Sequence, residues 1–380
     1  MDQGSVDTAA GRVQPPVASA RPDAEASAPA PARTDRRRRS LALDLTLLAV
    51  VGVLLLGAAA AAIGAIHQQF YSPTAFVQRY LAMLADGRAA EALTVPGVAV
   101  DSSDLEAAGL PASASEGLLR EAALGSLEDA RVVSEQVDGD ITRVTVEYEA
   151  GGYPGTTTFE IAREGSVGLA PTWRFAQSPL AVMQLVVKGS MQFEVNGFEL
   201  DKRQVSPDGT EADPLAPVNL LVFSPGMYSV AVDTPISATP GVAVLSDTPF
   251  HGFPVEIQAE ATEEFVAVVQ QKVEEFLTAC ATQEVLQPTA CPFGYVLQDR
   301  IDSPPTWSIA RQPTVEVAPD GAGWAIMPTE AVAHIELDVV SLFDGSITHV
   351  SEDVPFTVGG RITVQPDGTA SIVVSGPEGP

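Results

Sequence analysis

The sequence predicts an α+β protein: a disordered N-terminal tail, one transmembrane helix, and exported helix-plus-antiparallel-sheet domains flanking a small β-module. Three observations predict it. Residues 45–66 form an uncharged run whose one strongly polar side chain is Thr46. Two amphipathic helical patterns, from Pro73 and from Glu263, each precede a long stretch of strand signals, and helices followed by runs of strands are an α+β signature. Between them lies a stretch of strand and turn only, marked by an Asn196-Gly197 hairpin signal. The expected boundaries are 1–40 for the tail, 41–66 for the span, 70–188 and 259–380 for the α+β domains, and 189–258 for the β-module.

The tail is rich in Ala, Pro, Ser and Arg and has no aromatic residue. Such a composition cannot bury enough apolar surface to offset its ordering entropy. It ends in a basic cluster, Arg33, Arg36, Arg37, Arg38 and Arg39, flanked by Thr34 and Ser40 as candidate phosphorylation sites. The simpler role of the arginines is to set topology and touch anionic head groups. At ~1.5 Å per residue, the uncharged run that follows crosses the ~30 Å hydrocarbon core. Basic residues beside a span stay in the cytoplasm, so residues 67–380 are expected outside, as in a type II signal anchor. A cleaved signal peptide is the rival, since Ala58–Ala65 offers A-x-A sites. The length of the run and of the tail before it favours a retained anchor. Gly57, Ala61 and Ala65 fall at spacing four, a packing row for membrane helices that alanine-rich composition also produces.

Charge divides the chain sharply. Seven of its 21 basic and six of its 49 acidic residues precede residue 67, which leaves 14 basic against 43 acidic beyond it. That surface repels nucleic acid and anionic polymers and attracts cationic partners. The two cysteines, Cys280 and Cys291, both fall in the exported part, where a close pair forms a disulfide.

In the first domain, Ser72-Pro73 supplies an N-cap and a first helical position. Phe76, Val77, Tyr80, Leu81 and Leu84 then make an apolar stripe, and Asp86-Gly87 closes it. Short helices are expected at Ala89–Leu93 and Ser115–Leu124. Strands follow at Arg131–Gln136, Ile141–Tyr148, Thr156–Ile161 and Thr172–Phe175, with Leu180–Val187 closing the domain. The β-module holds the Phe193–Leu200 hairpin and the alternating Tyr228, Val230 and Val232. In the third segment Thr262 caps a helix whose face carries Phe265, Val268, Val269, Val273, Phe276, Leu277 and Cys280. Ala333, Ile335, Leu337 and Val339 alternate with His334, Glu336 and Asp338, and a Pro366-Asp367-Gly368 turn joins the last two strands.

Two internal echoes stand out. Val77-x-x-Tyr80-Leu81-x-x-Leu84 matches Val273-x-x-Phe276-Leu277-x-x-Cys280, and Pro171-Thr172-Trp173 matches Pro305-Thr306-Trp307. Their offsets differ, so one simple duplication cannot produce both.

The run Ser72-Pro73-x-x-Phe76-Val77-x-x-Tyr80-Leu81-x-x-Leu84-x-Asp86-Gly87, followed by strands up to Trp173, resembles the opening of NTF2-like (cystatin-like cone) domains. These occur in exported parts of single-pass membrane proteins of high-GC Gram-positive bacteria. Val195-Asn196-Gly197 and Pro225-Gly226-x-Tyr228-x-Val230 make the middle segment similar to PEGA-like β-modules. The resemblance implies a curved sheet against helices, non-catalytic, in the cell envelope.

No HExxH, GxSxG, Walker or GxGxxG pattern occurs. No catalytic, cofactor or metal residue is assigned. The His334, Glu336 and Asp338 face follows from strand alternation alone. Asp344, Ser346 and His349 have triad residue types, but local order does not make triad geometry. Trp173, Trp307, Trp324 and Tyr228 are expected as core anchors. The function expected is therefore binding or scaffolding of wall or membrane components by a non-enzymatic protein. The alternative is a cone enclosing a small-molecule pocket, as carrier or enzyme.

Overall fold

The computed structural model describes residues 35–168, 170–365 and 369–375. The chain divides into two compact units at Gly64/Ala65. Helix α1 (Asp35–Tyr71) contains the expected span and is longer at both ends. Residues 35–40, expected in the tail, are helical; arginine is a good helix former, and no breaker separates this run from the apolar helix. Within α1, Leu43–Ala61 is long and apolar enough to cross a membrane, and its side chains are exposed. Residues 1–34, the rest of the expected tail, lie outside the described residues.

In the second unit, α2 (Pro73–Ala85) starts where the sequence places it: Ser72 Oγ accepts from Ala75 N at 3.1 Å. Gly87, at φ +74°, supplies the left-handed residue that follows the helix. Helix α3 (Ala89–Leu93) matches its expected bounds, and α4 (Ser102–Ala107) is an addition, capped reciprocally by Asp101 and Asp104. The helix expected at Ser115–Leu124 does not form; only a 3-10 turn at Glu121–Ala123 appears. Ser115 instead bridges to a neighbouring strand, its N–H donating to Asn219 O at 2.8 Å and its C=O accepting from Leu221 N at 2.9 Å. That extended pairing outcompetes a short helix interrupted by Gly117.

Strands β1 (Leu127–Asp138), β2 (Ile141–Ala150), β3 (Tyr153–Val167) and β4 (Ala170–Phe175) form an antiparallel meander in sequence order. On β2 the inward residues are Thr142, Val144, Val146, Tyr148 and Ala150, so Thr142 takes the row that Ile141 misses by one position. Helix α2 packs its aromatic side chains into this sheet. Phe175 lies 5.1 Å from both Phe76 and Tyr80, and Phe159 sits 5.6 Å from Phe175, ring centre to ring centre. These edge and tilted contacts fill the interior of the first core.

The chain then makes β5 (Leu180–Lys188), β6 (Gln192–Val195), β7 (Phe198–Asp201), α5 (Lys202–Val205), β8 (Val218–Phe223), β9 (Gly226–Asp233), β10 (Ser237–Ser246), β11 (Gly252–Gln258) and β12 (Glu260–Ala261). Asn196 and Gly197 both take positive φ, at 52° and 79°, as a tight two-residue hairpin requires. β5, read from sequence as the last strand of the first domain, does not join the meander. It is the centre of a three-stranded sheet, parallel to β11 and antiparallel to β8. Leu180 and Val182 face the first core, while Ala181, Met183, Leu185 and Val187 face a second one. The second core is closed by the five-stranded sheet β12-β10-β9-β6-β7.

The third core forms around α6 (Glu263–Ala281), whose N-cap Thr262 accepts from Phe265 N at 3.2 Å. Its strands are β13 (Arg300–Ile301), β14 (Thr306–Arg311), β15 (Val317–Asp320), β16 (Gly323–Val340), β17 (Ile347–Val364) and β18 (Ala370–Ser375). β16 pairs with β17 on one side and with β13, β14 and β15 in turn on the other, giving a curled half-barrel sheet. A register break between Ile326 and Thr329 increases the local twist. Gly323 and Gly360 allow close approach: a Cβ on either would lie 2.3 Å from a neighbouring carbonyl oxygen. The Pro366-Asp367-Gly368 turn lies outside the described residues, and the strands flanking it pair as Val364↔Ala370.

The helix echo falls on equivalent elements, α2 and α6, each the inner helix of a sheet. The tryptophan echo does not. Trp173 is on the last strand of the first meander, whereas Trp307 is on β14, which precedes the long strands of the third core. The packing predicts that Phe159→Ala costs about 3–5 kcal/mol, while Val137→Ala, at a side chain 74% exposed, is near neutral. Denaturant unfolding of the two variants checks this.

Candidate functional site

The apolar stripe of α6 is wider than the core it covers. Phe265, Val269, Val273, Leu277 and Cys280 are buried, but Val268, expected on the same face, is 49% exposed and Phe276 is half-buried. These two side chains, with Ile236, Phe265, Ile372 and Val374, line an open apolar groove of about 840 Å³ between α6 and β18. Its lining includes one acid, Glu264, and one base, Lys272. Thr262 Oγ1 also donates to Pro235 O at 2.8 Å, which ties the groove's third wall to the start of the helix. A lining of this kind suits apolar groups by area and offers little polar specificity.

Cys280 and Cys291 are bonded, with Cα atoms 5.8 Å apart. The bridge fixes the end of α6 to the loop that delivers Phe293 into the third core, where its ring meets Trp307 at 5.0 Å and Phe356 at 5.1 Å. Arg36, Arg37, Arg38 and Arg39 lie in the first turns of α1, and their side chains are outside the described residues, as is Arg33. Trp307, Trp324 and Tyr228 are buried as expected. Trp173 is only half-buried and donates its indole N–H to Tyr71 O at 2.8 Å.

The suspected polar residues sort differently from their order in sequence. Ser346 donates to Asp344 Oδ1 at 2.8 Å within the β16–β17 turn, while His349 pairs across the strands with Asp338 at 2.9 Å. Those three residue types are therefore not connected. The register of β16 on β17 builds another set: His334 Nδ1 lies 2.7 Å from Asp353 Oδ1, and its Nε2 lies 3.2 Å from Ser351 Oγ. Sequence reasoning missed this set, because only the pairing His334↔Asp353 and Glu336↔Ser351 brings it together. Its connectivity is that of a nucleophile, base and orienting acid. Its surroundings are those of a solvated sheet face, with the Asp353 side chain 68% exposed. Catalysis by such a set needs oxyanion donors and exclusion of water, and Asp353 here stands largely in solvent. Among the described residues no group of His, Cys, Asp and Glu is arranged to hold a metal.

One buried charge also escaped sequence reading. Lys202 is fully buried at the edge of the second core, where Nζ donates to Val187 O at 2.6 Å and to Pro214 O. Burial pushes its pKa down to about 8, against the opposing pull of the Asp213 carboxylate. A neutral amine keeps two N–H donors, enough for both carbonyls. Lys202 thus staples the end of β5 to the loop before β8. Tyr80 and Tyr228 are buried phenols whose pKa values are raised by desolvation, each donating to a backbone carbonyl.

Comparison with protein-family models, curated proteins and solved structures finds no match to this chain. The NTF2-like and PEGA-like resemblance rests on the motifs quoted above.

Two outcomes follow. Replacing Cys280 and Cys291 by Ser frees a short loop and lowers stability by about 3 kcal/mol, read as a lower denaturation midpoint that added reductant no longer shifts. For Lys202, the unfolded chain holds its proton above the pH at which the folded chain releases it. Stability therefore rises as pH increases from about 8 toward the unfolded value near ~10.4. Lys202→Met removes this rise between about pH 8 and 9.5 in urea midpoints. Above ~pH 10 the raised tyrosine values act oppositely, since the unfolded phenols ionise first.

Proposed function

We propose that this chain is a non-catalytic, single-pass membrane protein whose exported body binds or scaffolds components of the cell envelope. α1 is the anchor: Leu43–Ala61 exposes leucines and valines that a water-facing helix would not carry. The arginines from Arg36 to Arg39 precede this stretch and the acidic body follows it, which favours an N-terminus in the cytoplasm and a C-terminal region outside.

The observation that carries binding over enclosure of a small molecule is the filled interior of the first core. Phe76, Tyr80, Phe159 and Phe175 occupy the space that a cone-shaped carrier would leave to its ligand. Apolar surface is offered outside instead, along α6 and β18, and exposed apolar patches of this kind mark interaction sites. The acidic exterior selects cationic partners and resists anionic polymers.

Topology is tested with a cysteine at Phe343, a side chain 98% exposed at the β16–β17 turn. In the Phe343→Cys variant a membrane-impermeant maleimide labels intact cells; labelling only after lysis overturns the orientation. Proximity labelling from the C-terminus in living cells then reads the partners. Reproducible enrichment of particular envelope proteins over an unrelated signal-anchor control is expected, and a profile equal to that control overturns the scaffold function.

A further inference from the structure

We infer that two copies of this chain pair through β18, edge to edge about a two-fold axis, each filling the α6–β18 groove of the other. β18 is bonded to β17 on one side, and among the described residues no strand lies on its other side. Folded proteins protect such edges with lysines, prolines, bulges or a covering element. β18 reads Ala-Ser-Ile-Val-Val-Ser, with no charge and no proline. Its register on β17 runs unbroken from Gly359↔Ser375 to Val364↔Ala370, so no bulge turns the edge away. Val373 is 61% exposed on its outer face.

The groove beside this edge says what kind of strand fits. It runs between Val268 and Phe276 on the helix and Ile372 and Val374 on the strand. A strand added to the edge places every second side chain into it. The row that suits such a groove is small and aliphatic, and β18 carries one: Ala370, Ile372 and Val374 all face inward. Antiparallel pairing of β18 with its copy sets these two rows opposite each other and buries both grooves in one step. That is the self-complementarity of an isologous contact.

Charge separates a second copy from a foreign basic strand. The body beyond residue 66 holds 43 acidic and 14 basic residues, so two copies repel over most of their surfaces. The groove lining carries Glu264 and Lys272, the latter paired with Glu275 on the same helix at 2.7 Å, and the strand is uncharged. The strand edge therefore lets two acidic bodies meet along an uncharged line, and itself offers a cationic peptide no carboxylate to recognise.

The test is the mass of the full chain in detergent micelles, by light scattering over a range of concentrations, corrected for detergent. Two copies per particle are expected. Val268→Glu puts a charge where the partner's inward row docks, at a helix position already half in solvent, and raises the dissociation constant at least about tenfold. Val373→Lys, which adds the charge that edges usually carry, shifts the mass in the same direction. Val137→Glu, 74% exposed on β1, leaves it at two copies. Unchanged unfolding midpoints show that the variants are folded. One copy per particle for the unsubstituted chain overturns the inference, whatever basic peptide it then binds. So does a two-copy mass that survives both Val268→Glu and Val373→Lys, which assigns the contact elsewhere.

Discussion

The body that follows α1 is organised around β5, a strand buried on both faces. Alternation sends Leu180 and Val182 to the first core and Ala181, Met183, Leu185 and Val187 to the second. The partner strand keeps the same parity: Leu180 faces Phe223 and Val182 faces Leu221 toward the first core, while Met183 faces Leu220 toward the second. Slipping this pairing by one residue would exchange both sets at once. Two cores thus share a single sheet, and neither closes without it. Lys202 secures this arrangement by bonding Val187 O, at the end of the strand where the chain leaves the sheet.

The cores are filled by their own side chains. The first core spends its aromatic residues on internal ring contacts, and the third takes Phe293 from the disulfide-pinned loop to complete itself. An open apolar groove lies at the rim of the third core, where α6 carries more apolar residues than its sheet covers. The exposed polar pairs of β16 and β17 are surface ladders in solvent, worth little individually. Against so acidic an exterior, the uncharged edge of β18 is the distinctive feature of that rim.

Much of this was legible because the causes are local. Ser72, Thr262 and Asp86-Gly87 mark helix boundaries through cap chemistry that acts within one turn. Asn196-Gly197 specifies its hairpin because few other residues accept two positive φ angles. Alternation from Ala333 to Val339 gave the inner row of β16 directly. The failures were non-local. Ser115 left the expected helix because a strand a hundred residues away in sequence offered it backbone partners. Leu180–Val187 has the pattern of a strand, but pattern does not say which sheet it joins. Val268 fits the apolar period of α6, yet its exposure depends on how far the sheet curls.

The sequence by itself determined the helices α1, α2, α3 and α6, most strands, the apolar segment of α1, the charge contrast on either side of it and the pairing of the two cysteines. Each follows from residue type, short-range periodicity or count, and needs no knowledge of what lies across the fold. Tertiary structure alone decided that β5 is shared between two cores, that Lys202 is buried, that Ser351, His334 and Asp353 meet, and that β18 is, among the described residues, the last strand of its sheet and lies beside a groove. These depend on strand order and register, which are set by the summed burial of side chains distant in sequence, and no single segment carries that information.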